Sequence, residues 1–138
     1  MKEFIIWNKK WETGIRKIDE QHKHFVAILN KAYSLNEQGK DYKQIDTVLS
    51  DLTEYARIHF STEEEYFNKT DYPDAQNHIE KHSVLLGTVL DFNTRFDAKE
   101  NNSDLLMEFL IFLKSWLDQH LVTVDHKYIP WLKEHGIK

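Results

Sequence analysis

The 138-residue chain has no cysteine, two prolines and four glycines. Without cysteine there are no disulfides, no thiolate metal ligands and no cysteine nucleophile. So few prolines and glycines disfavour a turn-rich all-β fold and favour long helices. Long hydrophobic runs are also missing. The most apolar stretch, 105–117, contains Glu108 and Lys114 and is too short to span a bilayer. Nothing near the N-terminus reads as a signal peptide, because the apolar run 4–7 gives way at once to Lys9 and Lys10. A net charge of −5 argues against nucleic acid or an anionic membrane as partner. The expectation is one soluble, cytoplasmic domain over 1–138, large enough for a core of its own.

What the chain does have is helical periodicity. Steps of three and four between apolar residues predict helices over 19–38, 41–69, 73–97 and 103–121. They follow an arm, 1–18, whose Trp7 and Trp11 are expected to be buried over the core. The first stripe reads Phe25, Ile28, Leu29, Ala32, Leu35, with Asp19 as N-cap and Gly39 as stop. The second begins near Asp41 and reads Ile45, Val48, Leu52, Tyr55, His59, Glu63, Tyr66. Pro73 suits the first turn of the third helix, whose stripe is Ala75, His78, His82, Leu85, Val89, Phe92, Phe96. After a polar loop at 98–102, Asn102 or Ser103 can cap the fourth, which reads Leu106, Phe109, Leu113, Trp116, His120. A short C-terminal helical tail is interrupted by Pro130. The fold class expected is all-α, an antiparallel up-down-up-down four-helix bundle.

Eight histidines are the compositional oddity, and five of them lie on these stripes. His59 and Glu63, like His78 and His82, are spaced i, i+4, so each pair stacks on one helix face. In an antiparallel bundle the start of helix 1 (His22), the end of helix 2, the start of helix 3 and the end of helix 4 (His120) share one end. Any one of these histidines alone reads best as a core histidine bonded to a carbonyl or carboxylate. Five imidazoles and a carboxylate in one buried layer are another matter, since desolvating them needs a compensating charge. A metal centre supplies it.

Asp125 lies five residues past His120, about 140° away on a continuous α-helix. It points inward only if helix 4 unwinds, which the β-branched run Val122-Thr123-Val124 makes reasonable. His24, His126 and His135 fall off the stripes and read as solvated, and Glu64 and Glu65 as a solvated face beside an inward Glu63. Seven ligands are too many for one ion, and a mixture of imidazole and carboxylate suits a pair of irons. Two octahedral ions offer about twelve positions, and five imidazoles, two bridging carboxylates and a bridging hydroxide leave one open. One vacancy favours end-on binding of a small diatomic over its cleavage.

The set His22, His59-x-x-x-Glu63, His78-x-x-x-His82 and His120-x-x-x-x-Asp125 resembles the ligand signature of the hemerythrins, and the flanks resemble their single-domain bacterial branch. Matching stretches include Ile18-Asp19-x-Gln21-His22, His59-Phe60, Tyr72-Pro73 and Phe112-Leu113-x-x-Trp116-Leu117-x-x-His120. The resemblance implies His78, His82 and His120 on one iron, and His22 and His59 on the other. It also implies Glu63, Asp125 and an oxo or hydroxo group as bridges. Dioxygen would bind end-on at the five-coordinate iron of His22 and His59, as hydroperoxide, and leave by the reverse path. Phe60, Trp116 and Leu117 are the candidates for an apolar oxygen pocket.

The function expected is therefore reversible oxygen binding for storage or delivery, not enzymatic catalysis. An oxygen-requiring enzyme is the expected client and a monomer the expected state. Two alternatives stand beside it. An oxygen or redox sensor would need a signalling module that 138 residues leave no room for. An enzyme handling peroxide or nitric oxide would need a proton donor near the open position, with Tyr55 and Tyr66 the nearest candidates.

Overall fold

The computed structural model describes residues 4–39, 42–97 and 102–138, except for the side chains of 42–45, 96–97, 102–103 and 123–125. A 3₁₀ turn, Lys9–Trp11, precedes four long helices: α1 (Arg16–Glu37), α2 (Tyr42–Thr70), α3 (Ala75–Asp97) and α4 (Asn102–Gln119). A π turn, His120–Asp125, then leads into α5 (His126–Glu134). Among the described residues there is no strand, and no helix is long and apolar enough to cross a membrane.

Ring contacts give the directions of the helices. His22 and His24 of α1 meet His59 and Tyr55 of α2, so ascending numbers face descending ones. Phe60 and Phe67 of α2 meet His82 and His78 of α3, and His82 and Phe92 of α3 meet His120 and Phe109. Consecutive helices therefore run antiparallel. The expected stripes form the core: Phe25, Leu29, Ala32, Val48, Leu52, Leu85, Val89, Phe92, Leu106, Phe109 and Leu113 are all buried. The expected stripe positions Ile45 and Phe96, the start at Asp41, and the loop and caps at 98–103 lie outside the described residues or side chains.

Three local expectations are corrected. Asp19 is not the N-cap of α1, which starts three residues earlier with Ile15 at that position. Its carboxylate instead reaches back to accept from the Thr13 N–H and hydroxyl, both at 2.8 Å, and from the Gly14 N–H at 3.0 Å. Those loop amides would otherwise lack partners, because Gly14 turns the chain at φ +78°. Pro73 is not in the first turn of α3 but in the connection before it. There Asp71 takes a left-handed φ of 54°, and the Tyr72 N–H bonds back to the Phe67 carbonyl at 3.0 Å. That is the six-to-one closure of a Schellman motif, and the Tyr72 and Phe67 rings pack 5.0 Å apart as its hydrophobic contact. The closure uses the chain up to Tyr72, so α3 can begin only at Ala75. Finally, Pro130 does not interrupt the tail. It is the fifth residue of α5, so the one bond it cannot donate is that to His126, at the junction with the π turn.

The arm is tied down as its indoles suggest. Trp11 is buried and donates to Asp118 at 3.0 Å, and half-buried Trp7 packs edge-on against it. Asn30 holds the backbone of Ile5 with two bonds, at 2.7 and 2.9 Å. A second cluster, Ile15, Ile18, Phe67, Tyr128 and Leu132, joins the start of α1 and the end of α2 to α5. α5 thus closes the end of the bundle where the histidines sit.

Because the Asp19 carboxylate satisfies three donors at once, Asp19→Ala should lower the unfolding free energy by roughly 2 kcal/mol. A shift of the urea midpoint at unchanged m-value would show it, and an unchanged midpoint would mean that water replaces these bonds freely.

Candidate metal centre

Each helix delivers its share to one layer: α1 His22, α2 His59 and Glu63, α3 His78 and His82, and the start of the π turn His120. All six are buried, Glu63 completely. Ligand atoms of Glu63, His78, His82 and His120 lie within 4.8 Å of one another, and so do those of His22, His59 and Glu63. Six of the seven expected ligands are therefore brought together, in two groups that share Glu63. The Asp125 side chain lies outside the described residues. Its backbone closes the π turn that His120 opens. In such a turn the hydrogen bond runs from residue i to i+5, so position 125 stands one turn beyond position 120 rather than part-way round the helix.

The spacings fit an ion at the centre. His22 Nε2 and His59 Nε2 are 2.9 Å apart. Glu63 Oε1 is 3.0 Å from His82 Nε2 and 3.4 Å from Nε2 of both His59 and His78. Two ligand atoms on bonds of about 2.1 Å stand about 3.0 Å apart at a right angle and about 3.4 Å apart at the tetrahedral angle. The His82 contact also lacks the direction of a hydrogen bond, and Glu63 Oε2 is buried with no hydrogen-bond partner. Such donor atoms converge on a point between them. Burial by itself would push the Glu63 carboxyl up, but in the iron-free chain the positive charge of protonated His59, with the His78 and His82 imidazoles beside it, outweighs that. They hold the group well below the usual carboxylate range, so the anion persists in the core.

Hydrogen bonds behind the ligands settle one tautomer. Thr62 gives its hydroxyl proton to the Ile58 carbonyl at 3.1 Å, so its oxygen accepts from the Gln21 amide nitrogen at 3.0 Å. The Gln21 carbonyl oxygen then faces His59 Nδ1 at 2.7 Å, and Nδ1 must carry the proton. When that ring is neutral its Nε2 lone pair turns towards the centre, as a metal ligand requires. His82 Nδ1 is backed in the same way by Glu64 at 3.4 Å. Spacing alone missed both supports. Gln21 is the neighbour of a ligand on α1 yet serves a ligand on α2, and Glu64 read as part of a solvated run. The requirement that a buried ligand imidazole anchor its second nitrogen was the one available clue.

Beside His22, His59 and His120 is a narrow cavity with about 10 Å³ of room for the centre of a water-sized molecule. Phe60, Trp116 and Leu117, the expected pocket residues, all line it, and so do Phe25, Ala56 and Leu121, which spacing did not single out. Phe60 stacks on His82 with ring centroids 3.8 Å apart, and Trp116 on His120 at 4.3 Å. Tyr55 and Tyr66 do not line the cavity. The off-stripe histidines are exposed: His24 lies against Tyr55, His135 bonds the Trp131 carbonyl, and His126 faces solvent.

Residues 13–132 match the hemerythrin HHE cation binding domain. The chain belongs to the hemerythrin family. It is 33% identical to a bacteriohemerythrin of Clostridium acetobutylicum over 128 residues, covering 91% of this chain and 98% of that protein. A bacteriohemerythrin of Pseudomonas aeruginosa is 30% identical over 125 residues, covering 91% and 79%. Among solved structures, wild-type hemerythrin superposes with a TM-score of 0.82 at 30% identity, covering 94% of this chain and 98% of that one. The hemerythrin cluster of histidines and glutamate is compatible with non-haem iron.

Two outcomes test this geometry. Gln21→Leu removes the acceptor behind His59, so iron affinity should fall about 10- to 100-fold while helicity by circular dichroism is kept. Competition with a chelator measures it, and unchanged affinity would reduce Gln21 to packing. Glu63 has a depressed folded pKa, so its ionisation stabilises the iron-free chain above the ordinary value of 4.5 and ceases to as pH falls through the folded value. The stability gap between the native chain and Glu63→Gln should therefore be full at about pH 6 and shrink in strong acid, as urea unfolding would record.

Proposed function

We propose that the chain binds dioxygen reversibly at a non-haem di-iron centre, for storage or delivery rather than catalysis. The observation that carries this reading is the asymmetry of the two ligand groups. Three imidazoles and Glu63 surround one position, whereas two imidazoles and Glu63 surround the other, and the small apolar cavity reaches both of that second pair but only His120 of the first three. His78, His82 and His120 would hold one iron and His22 and His59 the other. Glu63, common to both groups, would bridge them, with Asp125 as the second bridge. Bound there, two ferrous ions supply the two electrons that reversible oxygen capture requires.

The chain's own residues do the rest. The cavity admits one molecule of about the size of water. Phe60, Trp116 and Leu117 keep bulk water and its protons away. That matters because a proton from solvent would expel reduced oxygen irreversibly. Among the described residues the lining offers no hydroxyl or carboxyl as proton donor, and Tyr55 and Tyr66 stand elsewhere. A peroxide- or nitric oxide-handling enzyme would need such a donor, so binding is favoured over turnover. Similarity to bacteriohemerythrins supports the same choice.

Reduced protein should hold two irons per chain, develop a visible charge-transfer band in air and lose it under vacuum over repeated cycles. Immediate oxidation without a reversible phase would sink the carrier reading in favour of sensing or catalysis. Iron-to-protein ratios supply the control: Glu63→Ala should lose iron and His24→Ala should not.

A further inference from the structure

A groove of about 540 Å³ lies between α3 and α4, within the range of small-molecule sites and open to solvent. Val84 and Phe112 line its walls, and Val84 is 71% exposed, an apolar side chain left uncovered at the rim. Asn77, Lys81 and Gln119 add hydrogen-bond donors. The groove also reaches Trp116 and His120, two rings that line the narrow cavity as well. They stack with 4.3 Å between centroids and 16° between planes. A ring pair in van der Waals contact thus leads from an open groove to an imidazole of the metal cluster.

A di-iron carrier has a need that such a path meets. Whenever reduced oxygen escapes, both irons stay ferric and binding stops until two electrons return. The chain has no cysteine to supply them, and the narrow cavity is too small for any organic reductant. We propose that the α3–α4 groove binds a reduced flavin-type ring and passes its electrons through Trp116 and His120 to the metal centre. This inference rests on the di-iron reading above. A planar isoalloxazine suits the groove's aromatic wall. Its ring carbonyls and nitrogens accept from Asn77, Gln119 and Lys81. The dihydroflavin loses two electrons and two protons and departs as the oxidised ring. Each ferric ion gains one electron, and the protons pass to water at the groove mouth. Electron supply and oxygen thereby use different doors, with the Trp116–His120 stack as the partition.

Riboflavin is the probe. Its fluorescence anisotropy should rise saturably on titration with air-oxidised holoprotein, a binding readout that does not depend on oxygen capture. Val84→Glu places a charge in the groove and Thr88→Trp fills it, and neither residue belongs to the cluster. Both should weaken binding about tenfold or more. In stopped flow, dithionite-reduced riboflavin should bleach the ferric absorbance at a rate that saturates over the same concentrations, and both variants should slow it. Anisotropy that does not rise, or binding and reduction unaltered in both variants, overturns the proposal. Oxygen binding by the reduced variants should be unchanged. If the native protein binds riboflavin but fails the vacuum cycle, the carrier reading falls while the groove site stands.

Discussion

The rest of the structure depends on one buried anion. Glu63 is fully enclosed, and an isolated carboxylate moved into such an environment would cost on the order of tens of kcal/mol. It persists because nitrogens of His59, His78 and His82 stand within 3.4 Å of it. Those nitrogens come from two helices, and further histidines from α1 and the end of α4 complete the layer. Removing any helix would expose or orphan part of it. The bundle is therefore specified by a polar layer as well as by its apolar stripes.

Secondary details that look local serve this layer. The Schellman closure at Phe67–Tyr72 brings α3 back beside α2, which sets His78 and His82 against Glu63. α5 then places Tyr128 within 5.4 Å of the His78 ring and shields it from solvent. The π turn changes the register of the chain where His120 joins the buried cluster, and such turns are often found at functional sites. The two sides of the layer are also held differently. A chain of neutral hydrogen bonds through Gln21 and Thr62 backs His59, whereas a carboxylate backs His82. A carboxylate behind an imidazole raises its basicity more than an amide does. The side with the extra histidine thus also has the carboxylate-backed imidazole, and the apolar cavity meets both imidazoles of the other side and His120 of this one.

Much of this was legible in the sequence, because two periodicities carry it. Spacing of i, i+4 places His59 with Glu63 and His78 with His82 whatever surrounds them. The short connections make neighbouring helices antiparallel, and that alone carries His22 and His120 to the same end. What escaped were bonds between residues whose relation is set by the fold. Asp19 reads as a cap for its own helix because spacing cannot show it turning back to Thr13 and Gly14. Phe25 reads as core, and with Ala56 and Leu121 it becomes cavity wall only because α1, α2 and the π turn meet beside His22 and His59.

By itself, then, the sequence determined helix faces, the histidines and the glutamate that turn inward and the end of the bundle where they gather, since these follow from the 3.6-residue period and the order of the helices. Only the tertiary structure decided that Glu63 is shared by two groups of candidate ligands, that His59 is anchored at Nδ1 by Gln21, and that the cavity is small and narrow. Those depend on separations of a few tenths of an ångström between side chains of different helices, and no periodicity encodes a distance across a core.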